Sequence, residues 1–244
     1  ALSSAASDVY KRQMKNKTWK NYLGAAALVT VLFAGSVSAY FTDQDEKVNT
    51  FTVGKVTIEL EEPKWEKKPD DNGNKIPDEA ERMTPNQTII KDPQVKNTGN
   101  NDAFIYMTVE VPCRQIISVN NDGTRNPLAM RELYNYQVDN SWKLLGTVDV
   151  SDESGKKVAV KHLYAYAGAQ GICTVVKPQE TTKPLFNQVT FINAMEGQGL
   201  EENTYKINIQ AYGIQTTDLN GGTKDAAEIW NIITNQRELT ERFS

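Results

Sequence analysis

Residues 70–81, DDNGNKIPDEAE, carry the chain's most suggestive spacing of ligand atoms. Counting from Asp70, oxygen-bearing side chains fall at the first, third, fifth, ninth and twelfth positions (Asp70, Asn72, Asn74, Asp78, Glu81), and the Ile76 carbonyl falls at the seventh. This is the order in which a calcium loop wraps a hard cation with roughly six to eight oxygens. The sixth position, where a sharp turn calls for glycine, is Lys75, and no flanking helical pattern is evident. A plain solvated loop therefore stands beside the calcium reading, and calcium is the sole candidate cofactor.

Other chemistry has little to work with. The chain has one histidine, His162, in VAVKHLYAY, with no second histidine or glutamate at helical spacing. A catalytic zinc site needs several nitrogen, sulfur or carboxylate ligands around an open position. A Ser-His-Asp site would need the same His162, and no G-x-S-x-G turn is present. Gly221-Gly222 lacks the Lys-Ser/Thr that follows a phosphate-cradling loop. Glu59, Glu61, Glu62 and Glu66 sit among lysines and read as a solvated run. No catalytic residue is assigned. Two cysteines, Cys113 and Cys173, each lie at the edge of an expected strand; in an exported chain they would form one disulfide or remain two thiols, because spacing alone does not bring their Cα atoms within bonding range.

The elements that must position these residues are mostly strands. In AFIYMTVEV, Ile105, Met107, Val109 and Val111 alternate with Phe104, Tyr106, Thr108 and Glu110, giving one aliphatic face and one mixed aromatic and polar face. Further strands are expected at 50–60, 142–150, 158–166, 187–191 and 205–214. The first changes phase across Gly54-Lys55, which suggests a bulge. Residues 61–87, acidic and rich in Pro, Asp and Asn, read as an exposed loop. Two short helices are expected, at 127–136 (PLAMRELYNY) and at 225–235, where Ala226, Ile229, Trp230 and Ile233 fall on one face. The fold class is all-β, an antiparallel β-sandwich with one or two short helices.

Residues 14–39 have the layout of a secretory signal: Lys15, Lys17 and Lys20, an apolar core from Leu23 to Ala34, and small residues at Val37-Ser38-Ala39. Cleavage is expected between Ala39 and Tyr40. A permanent membrane helix would need roughly 20 apolar residues, whereas Gly35, Ser36 and Ser38 interrupt this run. Residues 1–13 have no role in such a signal and read as a non-native leader, leaving 40–244 as one domain. Residues 1–39 carry Lys11, Arg12, Lys15, Lys17 and Lys20 against Asp8, a net of +4, so the formal charge of -4 for the chain becomes -8 for the remainder. An acidic chain does not suit nucleic acid or an anionic membrane surface, both of which call for clustered Lys and Arg.

After the expected cut come Tyr40-Phe41, a short acidic run, NTFTVGKVTIEL and an acidic segment containing Trp65. These residues, followed in order by TPNQTIIKDPQVKNTGNNDAFIYMTVEVP, TTKPLFNQVTFIN and INIQAYGIQT, resemble the TasA/camelysin family, exported bacterial proteins processed by a SipW-type signal peptidase. The resemblance implies a jelly-roll-like sandwich, secretion to the extracellular matrix or cell surface, and self-assembly into biofilm-matrix fibres. The expected partners are further copies of the chain, the signal peptidase during export and other matrix proteins. It also implies an alternative, a camelysin-like surface metalloprotease. An assembly strand is expected within 40–51, where Tyr40, Phe41 and Phe51 would add to the sheet edge of a neighbour; Val53 onward would stay as the first strand of its own domain.

Overall fold

The computed structural model describes residues 42–44 and 56–243, apart from 75, 202, 218 and 220. The expected signal segment, the cleavage pair Ala39 and Tyr40, the assembly residues Phe41 and Phe51, the start of the expected first strand at Val53, and the bulge at Gly54-Lys55 lie outside the described residues.

The fold is all-β, with antiparallel sheets and, among the described residues, two helices. In chain order the elements are β1 (Thr42–Gln44), β2 (Ile58–Glu61), α1 (Asp78–Glu81), β3 (Thr88–Ile90), β4 (Gln94–Asn97) and β5 (Ala103–Ile116). There follow β6 (Ala129–Glu132), β7 (Tyr134–Tyr136), β8 (Trp142–Ser151), β9 (Lys157–Tyr166), β10 (Gln188–Phe191), β11 (Asn208–Gln215) and α2 (Ala226–Phe243). The main sheet runs β1-β11-β5-β9-β8, with β6 added along the C-terminal part of β5. Smaller sheets, β3-β10-β7 and β2-β4, complete the sandwich.

β5 is central because its odd-numbered face is apolar along the strand and its even-numbered face begins with two buried aromatic residues. Its odd-numbered residues, Ile105, Met107, Val109 and Val111, are fully buried with Val56, Ile58, Ile89, Val95 and Phe186 between the sheets. Its even-numbered Phe104 and Tyr106 pack on the opposite side against Ala226, Ile229 and Ile233 of α2. Each such Ile, Val or Phe contributes about 1.5–3 kcal/mol by leaving water. α2 starts where Asp225 caps it, Oδ1 accepting the N–H of Ala227 at 2.9 Å and of Glu228 at 3.0 Å, a device that satisfies otherwise unpaired helix donors.

Two expectations are corrected, and the open question of the cysteines is answered. The segment 127–136 is not a helix. Ala129–Glu132 pairs with β5, and Tyr134–Tyr136 pairs with β10, because Leu133, Tyr134 and Tyr136 fill gaps beside sheets, where packing overrides local helical preference. A short helix forms instead at Asp78–Glu81, inside the expected loop. Cys113 and Cys173 are free buried thiols. Cys113 continues the odd-numbered series of β5, while Cys173 packs in the helix-side cluster, so the main sheet stands between them.

Candidate functional site

The outer side of β11 is completed over only part of its length. β11 pairs with β5 along its whole length, from Asn208↔Glu110 to Gln215↔Ala103. On its other side β1 covers only three positions, Thr42↔Ile214, Asp43↔Gly213 and Gln44↔Tyr212. Among the described residues, 208–211 have no strand on that side. Backbone N–H and C=O groups left on a strand edge are a template for an added strand.

A cavity of about 450 Å³ opens at this part of β11, with Leu60, Glu62, Lys91, Asn208, Ile209 and Gln210 among its walls. One wall is fixed by charge. Lys91 Nζ donates to Glu62 Oε2 at 2.8 Å and lies 4.3 Å from the centroid of the Trp65 ring. The neighbouring carboxylate of Asp92, 1% exposed, accepts the backbone N–H groups of Lys64 at 3.0 Å and Trp65 at 3.2 Å. The turn after β2 is thereby clamped to the end of β3. On the sheet side, Lys161 Nζ pairs with Glu110 Oε2 at 3.1 Å. The site is a polar groove beside an open strand edge, a geometry for holding extended backbone.

The sequence did not point to Lys91, Asp92 or Glu62. The one available signal was the Lys-Asp-Pro run directly after the apolar Thr88-Ile89-Ile90, charge placed where a strand is about to be buried.

The calcium-spaced residues do converge, but on one another. Glu81 Oε1 accepts the amide of Asn72 at 2.5 Å and that of Asn74 at 2.6 Å. The Asn74 N–H donates to Asp70 Oδ1 at 3.1 Å and the Ile76 N–H to Asn74 Oδ1 at 2.8 Å. Asp78 Oδ1 accepts the N–H of Asp71 at 3.1 Å. Protein donors thus meet the oxygens that the spacing assigned to a cation. Among the described residues, no group of three or more His, Cys, Asp and Glu side chains is placed to hold a metal.

His162 lies on β9, where its Nε2 meets Glu132 Oε2 at 2.8 Å. The rings of Tyr136 and Tyr164 stand 6.4 and 6.2 Å away, and their hydroxyls bond each other at 3.0 Å. Burial pushes both hydroxyls above the usual tyrosine range. The arrangement ties β6, β7 and β9 together.

No family model, no curated protein and no solved structure matches the chain.

Proposed function

We propose that the chain is a secreted structural protein that self-assembles into extracellular or cell-surface fibres, its N-terminal segment adding as a strand to the β11 edge of a neighbour. The observation that carries this reading is the pairing of Thr42–Gln44 with β11 beside the stretch 208–211, which has no strand on that side among the described residues. The segment expected to donate already takes that edge within one chain. Exchange between copies needs no new kind of contact, only the same antiparallel ladder supplied in trans. Such a contact is head-to-tail, so it need not close and propagates as a filament.

Ile58–Glu61 lies in the chain's own domain as β2, with Ile58 4% exposed, which agrees with a donor limited to the residues before it. The jelly-roll topology implied by the resemblance to TasA-like fibre subunits belongs to the same proposal, as does cleavage after Ala39. The surface-protease reading would have to recruit His162, whose Nε2 is taken up by Glu132.

Negative-stain microscopy of protein beginning at Tyr40, beside the same protein lacking residues 40–49, tests the reading. Filaments are expected from the first and folded, filament-free protein from the second. Unchanged filaments from the deletion would overturn strand donation. Chelator-sensitive casein hydrolysis that is lost in His162→Ala would replace the structural role with the protease.

A further inference from the structure

The main sheet has a second outer strand, β8, and it differs from β11 in kind. β8 is paired with β9 from Trp142↔Tyr166 to Ser151↔Lys157, and no strand lies on its other side among the described residues. It is ten residues long and carries two exposed apolar side chains, Leu144 at 49% and Val148 at 67%. A long, flat edge of this composition would pair with any extended chain it met.

We infer that β8 is an edge built to refuse strand addition, so that, among the described residues, the main sheet offers its acceptor edge at β11 and not at β8. The consequence for filament form rests on the self-assembly reading above; the refusal itself does not.

Two register shifts break the ladder, one between Leu144 and Gly146 and one between Val150 and Ser151. Leu145 is the extra residue of the first shift, and it packs against the helix-side core, so the irregularity is anchored. The first shift bends and twists β8 away from a flat partner, whereas the second, whose extra residue is Val158 of β9, ends the regular ladder near the close of β8. The unbroken run is 146–150, about 17 Å of strand at the usual rise.

Gly146 opens that run. Nothing lies within 4 Å of where its Cβ would stand, and its φ is outside the left-handed range. Neither packing nor backbone geometry calls for glycine, yet glycine weakens a strand interior. Within the same run stands Asp149, its side chain 63% exposed and its Oδ1 2.6 Å from Lys157 Nζ. An incoming strand would have to desolvate that pair. Charge on an edge strand is a recognised guard against edge-to-edge pairing.

The experiment restores a plain edge in the full chain with Gly146→Val and Asp149→Val together. Static light scattering of the soluble fraction, over a concentration series, reads association, and electron microscopy reads filament width. The double variant is expected to show a weight-average mass that climbs with concentration above the parent's, and its filaments are expected to widen into lateral sheets. A variant with the parent's circular dichroism and melting temperature, and the parent's mass at every concentration, would overturn the inference. If the parent forms no filaments the self-assembly proposal fails by itself, while the scattering comparison still decides the role of β8. Should the double variant fail to fold, Gly146→Val alone supplies the same comparison.

Discussion

The hydroxyl of Tyr106, near the start of β5, donates to the carbonyl of Ala226 at 2.9 Å, so the first turn of α2 is bonded directly to the middle strand of the main sheet. Tyr106 is fully buried, and Trp230 of α2 lies against its ring, 5.4 Å between centroids. Tyr106→Phe keeps the ring and removes this bond from strand to helix. A net hydrogen bond contributes roughly 0.5–1.5 kcal/mol. A fall of that size in unfolding free energy, from urea denaturation with an unchanged m-value, is expected; a loss below measurement error would show the bond to contribute nothing.

A glycine controls how closely the chain before β2 approaches the sheet. A Cβ added to Gly213 would stand 2.9 Å from Ile58 Cγ2 and 3.0 Å from Val56 Cγ1. Both partners are buried, so neither can swing into solvent. Gly213→Ala should destabilise by about 1–3 kcal/mol, the usual cost of overpacking. Ile58→Ala in the same chain should recover part of that loss, because contacting residues do not add independently. Full additivity of the two substitutions in thermal unfolding would refute the contact.

These two positions separate what could be read in the sequence from what could not. The alternation through Ile105–Val111 and the apolar stripe Ala226, Ile229, Ile233 repeat at the strand and helix periods, so each element and its buried faces are visible locally. Even the aromatic side of β5 was legible as a distinct face, though not that α2 covers it. The pairing of β6 with β5 was hidden, since PLAMRELYNY has an acceptable helical pattern and its partner lies in residues 113–116. The separation of Cys113 from Cys173 was equally hidden, because it depends on which side of the sheet each falls. The groove at β11 rests on Glu62, Lys91 and Asn208, residues remote in sequence that only the three-dimensional fold assembles.

Burial beneath α2 pushes the Cys173 thiol from an ordinary 9.0 up to about 11. A thiol with a raised pKa in the folded chain favours folding while it is neutral. Its contribution is complete below about pH 9, and it fades as the pH climbs from there toward 11. Cys173→Ala should flatten that part of the stability-against-pH curve relative to the parent. The Cys113 thiol, also raised chiefly by burial, should resist alkylation until the chain unfolds. Parallel curves for parent and variant would remove Cys173 from the alkaline transition.

The wall of the β11 groove makes the last test, because its ion pair is mostly removed from solvent. The Lys91 and Glu62 side chains are 11% and 18% exposed, and among the described residues Glu62 Oε1 is buried without a partner. Lys91→Met would leave the carboxylate with its one cation gone and the Trp65 ring without its charge. Removing one member of a buried pair commonly costs about 3–5 kcal/mol, whereas replacing both members can be close to neutral. Lys91→Met alone should therefore destabilise strongly, and Lys91→Met with Glu62→Leu should be more stable than that single variant. The same double variant keeps the β11 backbone edge, so filament formation should survive it if strand addition depends on main-chain hydrogen bonds. Filaments lost from a double variant that retains the parent's melting temperature would instead make the charged wall, and not the open edge, the feature that a neighbouring chain recognises.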